Sequence, residues 1–108
     1  MYQYKEVYIL DFTKVKYYLD FHQIIQDELD FPDYYGKNWS ALWDCLTDMV
    51  GDPLHIQIIG LDVLEQKFGD TAEKLVNMLR DVKHYDHDRY VHETIIEIIS
   101  ENGKTLIS

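Results

Sequence analysis

The size and charge of this chain limit the functions it can have. A chain of 108 residues, 46% of them hydrophobic, can form one packed domain without a disulfide or metal, so residues 1–108 are predicted to be a single domain. Twenty acidic residues oppose ten basic ones, which gives a formal net charge of −10. Such a surface repels nucleic acids and anionic membranes and attracts a basic partner, although acidity also serves solubility alone.

The cysteine count and the first residues of the chain indicate in which cellular compartment the protein is expected. Cys45 is the only cysteine, so a disulfide within the chain is excluded, and its apolar surroundings in the sequence favour an inert thiol. Residues 1–6 lack the basic-then-apolar layout of a signal peptide, and no apolar run has the length of a membrane span. We therefore expect a cytoplasmic protein.

The hydrophobic pattern predicts strands that alternate with pairs of helices. Short apolar runs rich in β-formers indicate strands, and apolar residues that recur every three or four positions indicate helices. In chain order the predicted elements are a strand over Glu6–Phe12, helices over Tyr18–Asp30 and Asn38–Val50, a strand over Leu54–Ile59, helices over Leu61–Phe68 and Asp70–Lys83, and a strand over Glu93–Ser100. This order predicts an α/β fold in which a three-stranded parallel sheet is packed with about four helices.

Two further details of the sheet can be predicted. The first strand is a nearly unbroken apolar run, which is typical of a strand that is covered on both faces. Asn102-Gly103 is a favoured two-residue hairpin turn, so Lys104–Ile107 is predicted to return as a short antiparallel edge strand.

The segment from Phe31 to Thr47 is the candidate contact surface. Its helical part has one apolar face at the spacing that docks a helix on a core, formed by Leu42, Cys45, Leu46 and Met49. The opposite face is predicted to carry Trp39, Ser40, Trp43, Asp44 and Thr47. Tyrosine and tryptophan give contact area at low entropic cost, and an acid beside them suits a cationic pocket. The competing interpretation is that a tryptophan folds over the edge of the core and that Asp44 is an ordinary solvated carboxylate.

Catalytic and metal-binding interpretations are weaker. Asp44 and Asp48 could in principle hold a magnesium ion, but a helix surface is a poor catalytic site because catalytic sites are concave. His84 and His87 lie near other polar residues without the spacing of a known metal motif, so 84–92 is predicted to be a surface loop. No nucleophile or phosphate-loop motif is present. We therefore expect no enzymatic activity, no cofactor and no metal site.

Several of these residues also carry a family resemblance. The runs Asp20-Phe21-His22-Gln23, Pro32-Asp33-Tyr34-Tyr35-Gly36 and Ala41-Leu42-Trp43-Asp44-Cys45-Leu46-Thr47 resemble the barstar family of intracellular inhibitors of extracellular guanyl-specific ribonucleases. The resemblance covers nearly the whole chain except its last eight or so residues. It implies a three-stranded parallel sheet with helices and an inhibitor that occludes the active site of the ribonuclease with this loop and helix.

The resemblance also implies roles for individual residues. Asp44 matches the acid that occupies the phosphate site of the enzyme, and Asp81 matches a glutamate that contacts the partner. The remaining positions either match contacts of the family or differ from it within the same surface. The predicted partner-binding residues are Tyr34, Gly36, Asn38, Trp39, Ser40, Trp43, Asp44, Thr47 and Asp81.

The chain departs from the family pattern at a few positions. Ser40 stands where an acid is expected, Trp39 replaces a leucine, Tyr85 replaces a rim glutamate, and the chain continues past Ser100. These changes fit an inhibitor tuned to another basic enzyme. The expected partner is a basic ribonuclease or related toxin in a 1:1 complex, with the free chain a monomer. The alternatives are an immunity protein against a different toxin, such as a DNase, and a metal-dependent hydrolase.

Overall fold

A computed structural model describes residues 7–49, 54–84, 94–101 and 103–107 of the chain. Four strands and four helices alternate along it. In chain order they are β1 (Tyr8–Asp11), α1 (Tyr18–Leu29), α2 (Trp39–Met49), β2 (Leu54–Ile59), α3 (Leu61–Phe68), α4 (Thr71–Lys83), β3 (Thr94–Ser100) and β4 (Gly103–Leu106). The predicted elements are all present, and their described ends differ from the predicted ones by at most two residues. Glu6, Val50, Glu93 and Asn102 lie outside the described residues.

The strands form one sheet in the order β1-β2-β3-β4. β1 pairs parallel with β2, and β2 pairs parallel with β3. β4 returns antiparallel to β3, with Ser100 opposite Gly103, and just beyond it the amide of Ile107 donates to the Ile96 carbonyl (2.8 Å). The prediction of a three-stranded parallel sheet with an antiparallel C-terminal edge strand is therefore confirmed.

One face of this sheet forms the floor of the core. The side chains of Tyr8, Ile56 and Ile96 lie in one row across the three parallel strands, and all three are fully buried. Leu10 and Ile58 form the next row and are also buried. Alternate residues point to opposite faces of a strand, so the buried face consists of even-numbered residues on these strands.

The other face is not covered by any of the four described helices, which corrects the expectation that the first strand is covered on both sides. Ile9 keeps 45% of its surface exposed, and Asp11 is exposed as well. We call this surface the open face; it consists of the odd-numbered residues of β1, β2 and β3 and the even-numbered residues of β4. The apolar run in β1 is therefore that of a strand buried on one side only, and composition alone could not distinguish the two cases.

The helices cover the buried face of the sheet. α1 contacts β1, α4 contacts β3, and α4 also packs against α2 and α3. Each helix presents an apolar stripe to the core, such as Phe21, Ile25 and Leu29 on α1. Among the described residues, no helix is both long enough and apolar enough to cross a bilayer. The arrangement leaves the outer side of α2 free of the sheet.

Candidate partner-binding site

α2 has a buried face and an exposed face. Asn38 begins the helix, because its Oδ1 accepts the amide of Ala41 (2.8 Å) and satisfies one of the unpaired donors of the first turn. Leu42, Leu46 and Met49 are buried in the core. The predicted core face is therefore confirmed for these three residues, with Cys45 half-buried beside them. The rotation of the helix is fixed by these three side chains, so Asp44 and Asp48 between them face outward.

The loop before α2 is held by α1. The Nε2 amide of Gln26 donates to the carbonyl of Pro32 (3.0 Å), and the ammonium of Lys37 donates to Oε1 of Gln23 (2.8 Å). Between these ties, the Tyr35 hydroxyl and Nδ1 of His22 are 2.7 Å apart. The loop is thus fixed along its length before any partner arrives, which lowers the ordering entropy lost on binding.

The backbone of the loop shows why Gly36 is needed. The residue with a positive φ in this turn is Lys37 (51°), whereas Gly36 does not have one. A Cβ at Gly36 would stand 3.1 Å from Nδ2 of Asn38, which itself donates to the Gly36 carbonyl (3.2 Å). The glycine therefore leaves room for the side chain that caps α2.

The two adjacent tyrosines have opposite fates. Tyr34 has 87% of its surface exposed, whereas Tyr35 is buried in the core and stacks edge-on against Phe31. Tyr34 and Asp44 line the two sides of a groove of about 460 Å³, which also includes Pro32, Cys45 and Asp48. The surface beside α2 is thus concave, not uniformly convex as its helical periodicity predicts. A side chain with an apolar stem and a cationic end matches this lining.

The electrostatics of this surface favour a cationic partner. Residues 30–49 contain four aspartates and one lysine, and the ammonium of that lysine donates a hydrogen bond to Gln23. Asp44 is exposed on the middle of α2, with Ser40 one turn before it. No group of three or more histidine, cysteine or acidic side chains within the described ranges could hold a metal ion.

The tryptophans of α2 are partly buried, although sequence periodicity predicts both on the outer face. The Trp39 ring lies 5.6 Å from that of Phe21 and 6.1 Å from the imidazole of His22, both on α1. Trp43 also packs against the core along one side. Each ring therefore has a packing role, with part of its surface left for contact. Their roles in partner binding stay predictions.

The remaining predicted residues are distributed over both helices. Thr47 is half-buried, and its hydroxyl donates to the carbonyls of Trp43 (2.9 Å) and Asp44 (3.1 Å). Asp81 is exposed on α4, the helix that packs against α2. Tyr85, a position where the chain departs from the family, lies outside the described residues.

Cys45 is half-buried beside the groove. Burial raises the pKa of its thiol, and the nearby carboxylates of Asp48 and Asp44 raise it further. A raised pKa keeps the group as the unreactive thiol at neutral pH. This is consistent with an inert structural cysteine and gives no support to a nucleophile at this site.

The buried pair of His22 and Tyr35 was not among the predicted site residues. His22 is fully buried, and burial lowers its pKa, with the charge of Lys37 acting in the same direction. Burial likewise raises the pKa of the Tyr35 hydroxyl. Both groups are therefore neutral in the folded protein. The available sequence signal was only that a histidine and a tyrosine flank the loop, and nothing in that spacing predicts their contact.

We expect the buried histidine to make the protein acid-sensitive. Nε2 of His22 has no hydrogen-bond partner among the described residues, so a protonated imidazole would bury a charge and an unpaired donor. Since the folded pKa lies below the ordinary 6.5, the unfolded chain binds a proton first as the pH falls. Stability contributed by His22 is complete above about pH 6.5 and is lost below it, by up to about 1.4 kcal/mol per pH unit.

Urea unfolding of the protein and of His22→Asn between pH 7.5 and 5.5 measures this effect. Asparagine keeps an acceptor near the position of Nδ1 but does not titrate. The free energy of unfolding of the unmodified protein should fall more steeply with acid than that of the variant. Parallel curves for the two proteins would contradict the assignment.

Comparison with known proteins finds a family and a relative, both named as inhibitors. The family model described as "Barstar (barnase inhibitor)" matches residues 5–97. A protein of Bacillus subtilis (strain 168) named "Putative ribonuclease inhibitor YrdF" is 35% identical over 69 residues, which are 64% of this chain and 76% of that relative. The matched residues include the loop, α2 and most of the sheet described above.

Proposed function

This chain belongs to the barstar family, and we propose that it is a proteinaceous inhibitor that binds a basic ribonuclease and occludes its active site with α2 and the loop before it. The observation that carries the proposal is the placement of Asp44. It is exposed at the middle of a helix whose opposite face is buried, beside a groove that it shares with the exposed ring of Tyr34. A ribonuclease binds phosphate with cationic side chains, and a carboxylate can take the place of that phosphate.

The proposed mechanism begins with electrostatic steering. The net charge of −10 and the four aspartates of residues 30–49 draw a basic enzyme toward this surface, which raises the association rate. The ties from α1 to the loop then let the complex form with little reordering.

The final contacts combine one charge with aromatic anchors. Asp44 enters the cationic site of the enzyme, while Tyr34 and the exposed parts of Trp39 and Trp43 exclude water around it. The other proposed contacts form the rim of this surface, and they are Gly36, Asn38, Ser40, Thr47 and Asp81. Each inhibitor takes one enzyme, because a single Asp44 fills a single active site. We propose that the inhibitor works in the cytoplasm and has no catalytic activity of its own.

An inhibition assay tests this function. Increasing amounts of the purified protein should abolish RNA cleavage by at least one basic ribonuclease in a panel, with an end point at one inhibitor per enzyme. A DNase toxin in the same panel covers the alternative of an immunity protein. Calorimetry that detects no binding to any ribonuclease of the panel would overturn the assignment.

The salt dependence of the association gives a second prediction. We expect the association rate constant to fall at least about tenfold between 50 mM and 500 mM NaCl, because screening shortens the range of the attraction. Stopped-flow fluorescence can follow the reaction through the partly exposed tryptophans. A rate constant that is independent of salt would contradict steering while leaving inhibition itself untouched.

A further inference from the structure

The open face of the sheet has no function in the proposed inhibition, and its residues are unusual for this acidic protein. It carries ten side chains, of which two are acidic and one is basic, so its formal charge is −1 out of −10 with histidine neutral. Ile9 and Leu106 keep 45% and 62% of their surfaces exposed at its two edges. The open face is therefore a nearly neutral patch on a strongly charged molecule, half of its side chains are apolar, and those of its two central strands are partly buried.

The pairing of the strands gives this face a defined pattern. One row across the sheet reads Asp11, Ile59, Ile99, Lys104. An acid thus stands at the β1 edge and a base at the β4 edge, with two isoleucines between them. Directly paired residues of neighbouring strands point to the same side, so all four side chains belong to the open face.

The next row is Ile9, Gln57, Glu97, Leu106, with apolar side chains at both edges and polar ones in the centre. The polar centre already has side-chain contacts within the chain. Oε1 of Glu97 accepts from Gln57 Nε2 (3.0 Å) and contacts His55 Nε2 (2.5 Å). These two contacts lower the pKa of Glu97, and Lys104 contributes to the same direction. Covering this centre would therefore bury a carboxylate whose Oε1 already has two partners within the chain.

We propose that the open face binds the open face of a second copy of this chain in a symmetric dimer, with the twofold axis parallel to the strands. Such a rotation places β1 of one subunit against β4 of the other and keeps every residue at its height along the strand. Asp11 then faces the partner subunit's Lys104, and Ile59 faces the partner subunit's Ile99. Ile9 likewise faces the partner subunit's Leu106. Each row thus packs against the same row of the partner subunit in reverse order, with matching side chains opposite each other.

The direction of the axis follows from charge. A twofold axis running across the strands instead would place like strands together, and the central row would bring Glu97 against the partner subunit's Glu97. Along the strands, Glu97 faces the partner subunit's Gln57, and both ion pairs at the edges are formed. Opposite charges across an interface select the register, while the isoleucines supply the buried area.

The size of the face determines how strong the dimer can be. Four strands about 4.8 Å apart and six residues about 3.3 Å apart give a face of about 20 Å by 20 Å. Two such faces bury about 1,000 Å² in total, which is at the lower limit of specific interfaces. We therefore expect a dissociation constant of about 10 to 200 µM. α2 packs on the buried side of the sheet, so the dimer would keep both inhibitory surfaces free.

Sedimentation equilibrium of the full chain from 5 to 500 µM in 150 mM NaCl tests the proposal. The apparent mass should rise from 12.9 kDa toward twice that value. Lys104→Glu places a carboxylate opposite the partner subunit's Asp11 and should weaken the association about tenfold. Adding Asp11→Asn removes the facing charge and should restore most of it, while asparagine can still accept the two hydrogen bonds from Thr13.

The matched control is Lys67→Glu, which makes the same change in net charge on exposed α3. It should leave the dimer within about twofold of the unmodified protein. A monomeric mass at every concentration, as expected from the sequence, would overturn the proposal. Equal weakening by the two lysine variants would also overturn it, because net charge alone would then explain the effect. Circular dichroism of each variant establishes that it is folded, and ribonuclease inhibition is a separate readout.

Discussion

Asp44→Ala is expected to reduce the affinity for the ribonuclease by about 100-fold to 5,000-fold, while the protein stays folded. Removing one member of a desolvated charge pair leaves the cations of the partner buried without a counter-charge, at a cost of about 3–5 kcal/mol. The fold of α2 should not depend on Asp44, since Asp44 is exposed and the core face of the helix is formed by other residues. Titration calorimetry and urea unfolding of the variant measure the two quantities separately.

The matched control for this variant is Glu65→Ala. It also removes one exposed carboxylate from a helix, but on α3, away from the loop and α2. Its affinity should stay within about threefold of the unmodified protein, since only long-range attraction is reduced. Equal losses in the two variants would show that Asp44 acts through net charge alone. Unchanged inhibition by Asp44→Ala would show that another part of the inhibitor occupies the active site of the enzyme.

Leu46→Ala is expected to have the opposite profile. Leu46 is fully buried on the core side of α2, and truncation of a buried leucine removes apolar contacts and leaves a cavity, at a cost of about 2–5 kcal/mol. For a small domain this is a large part of the free energy of unfolding. Urea denaturation should show a much lower midpoint, whereas the folded fraction should still bind the ribonuclease almost normally.

Thr47→Ala gives the comparison within the same helix. Its hydroxyl donates only to carbonyls of the preceding turn, and threonine is a weaker helix former than alanine. The stability of this variant should change by less than about 1 kcal/mol. If Leu46→Ala were as mild, the face of α2 on the core would have been assigned wrongly. Together with Asp44→Ala, these variants separate the residues that hold α2 in place from those that it presents.

The departures from the family pattern bear on which enzyme is bound. Ser40 lies exposed one turn before Asp44, so this part of the surface presents a hydroxyl where the family resemblance implies an acid. Trp39 fills space between α2 and the rings of Phe21 and His22. An enzyme that presents a cation opposite Ser40 would bind less tightly than it would to an acid at this position. Specificity is the difference between the binding free energies of two partners, so Ser40 changes which enzyme is preferred.

The sequence by itself determined most of the fold. Apolar spacing predicted the four helices and the three parallel strands, because a buried face imposes a characteristic spacing wherever an element packs on a core. The Asn-Gly pair identified the returning edge strand, since few residue pairs suit a two-residue turn. The resemblance of the loop and α2 to the family led to the prediction that Asp44 is the central contact, because that run of residues is unusual.

The tertiary structure decided what local patterns leave open. Tyr34 and Tyr35 are adjacent residues of the same type, so the sequence does not distinguish them. The packing of the loop on α1 exposes the first and buries the second against His22. Similarly, an apolar strand has the same composition whether one or both of its faces are covered. The open face became visible only when helices were found on a single side of the sheet. In each case the deciding contact joins residues that are distant in the chain, and sequence spacing contains no information about which of them meet.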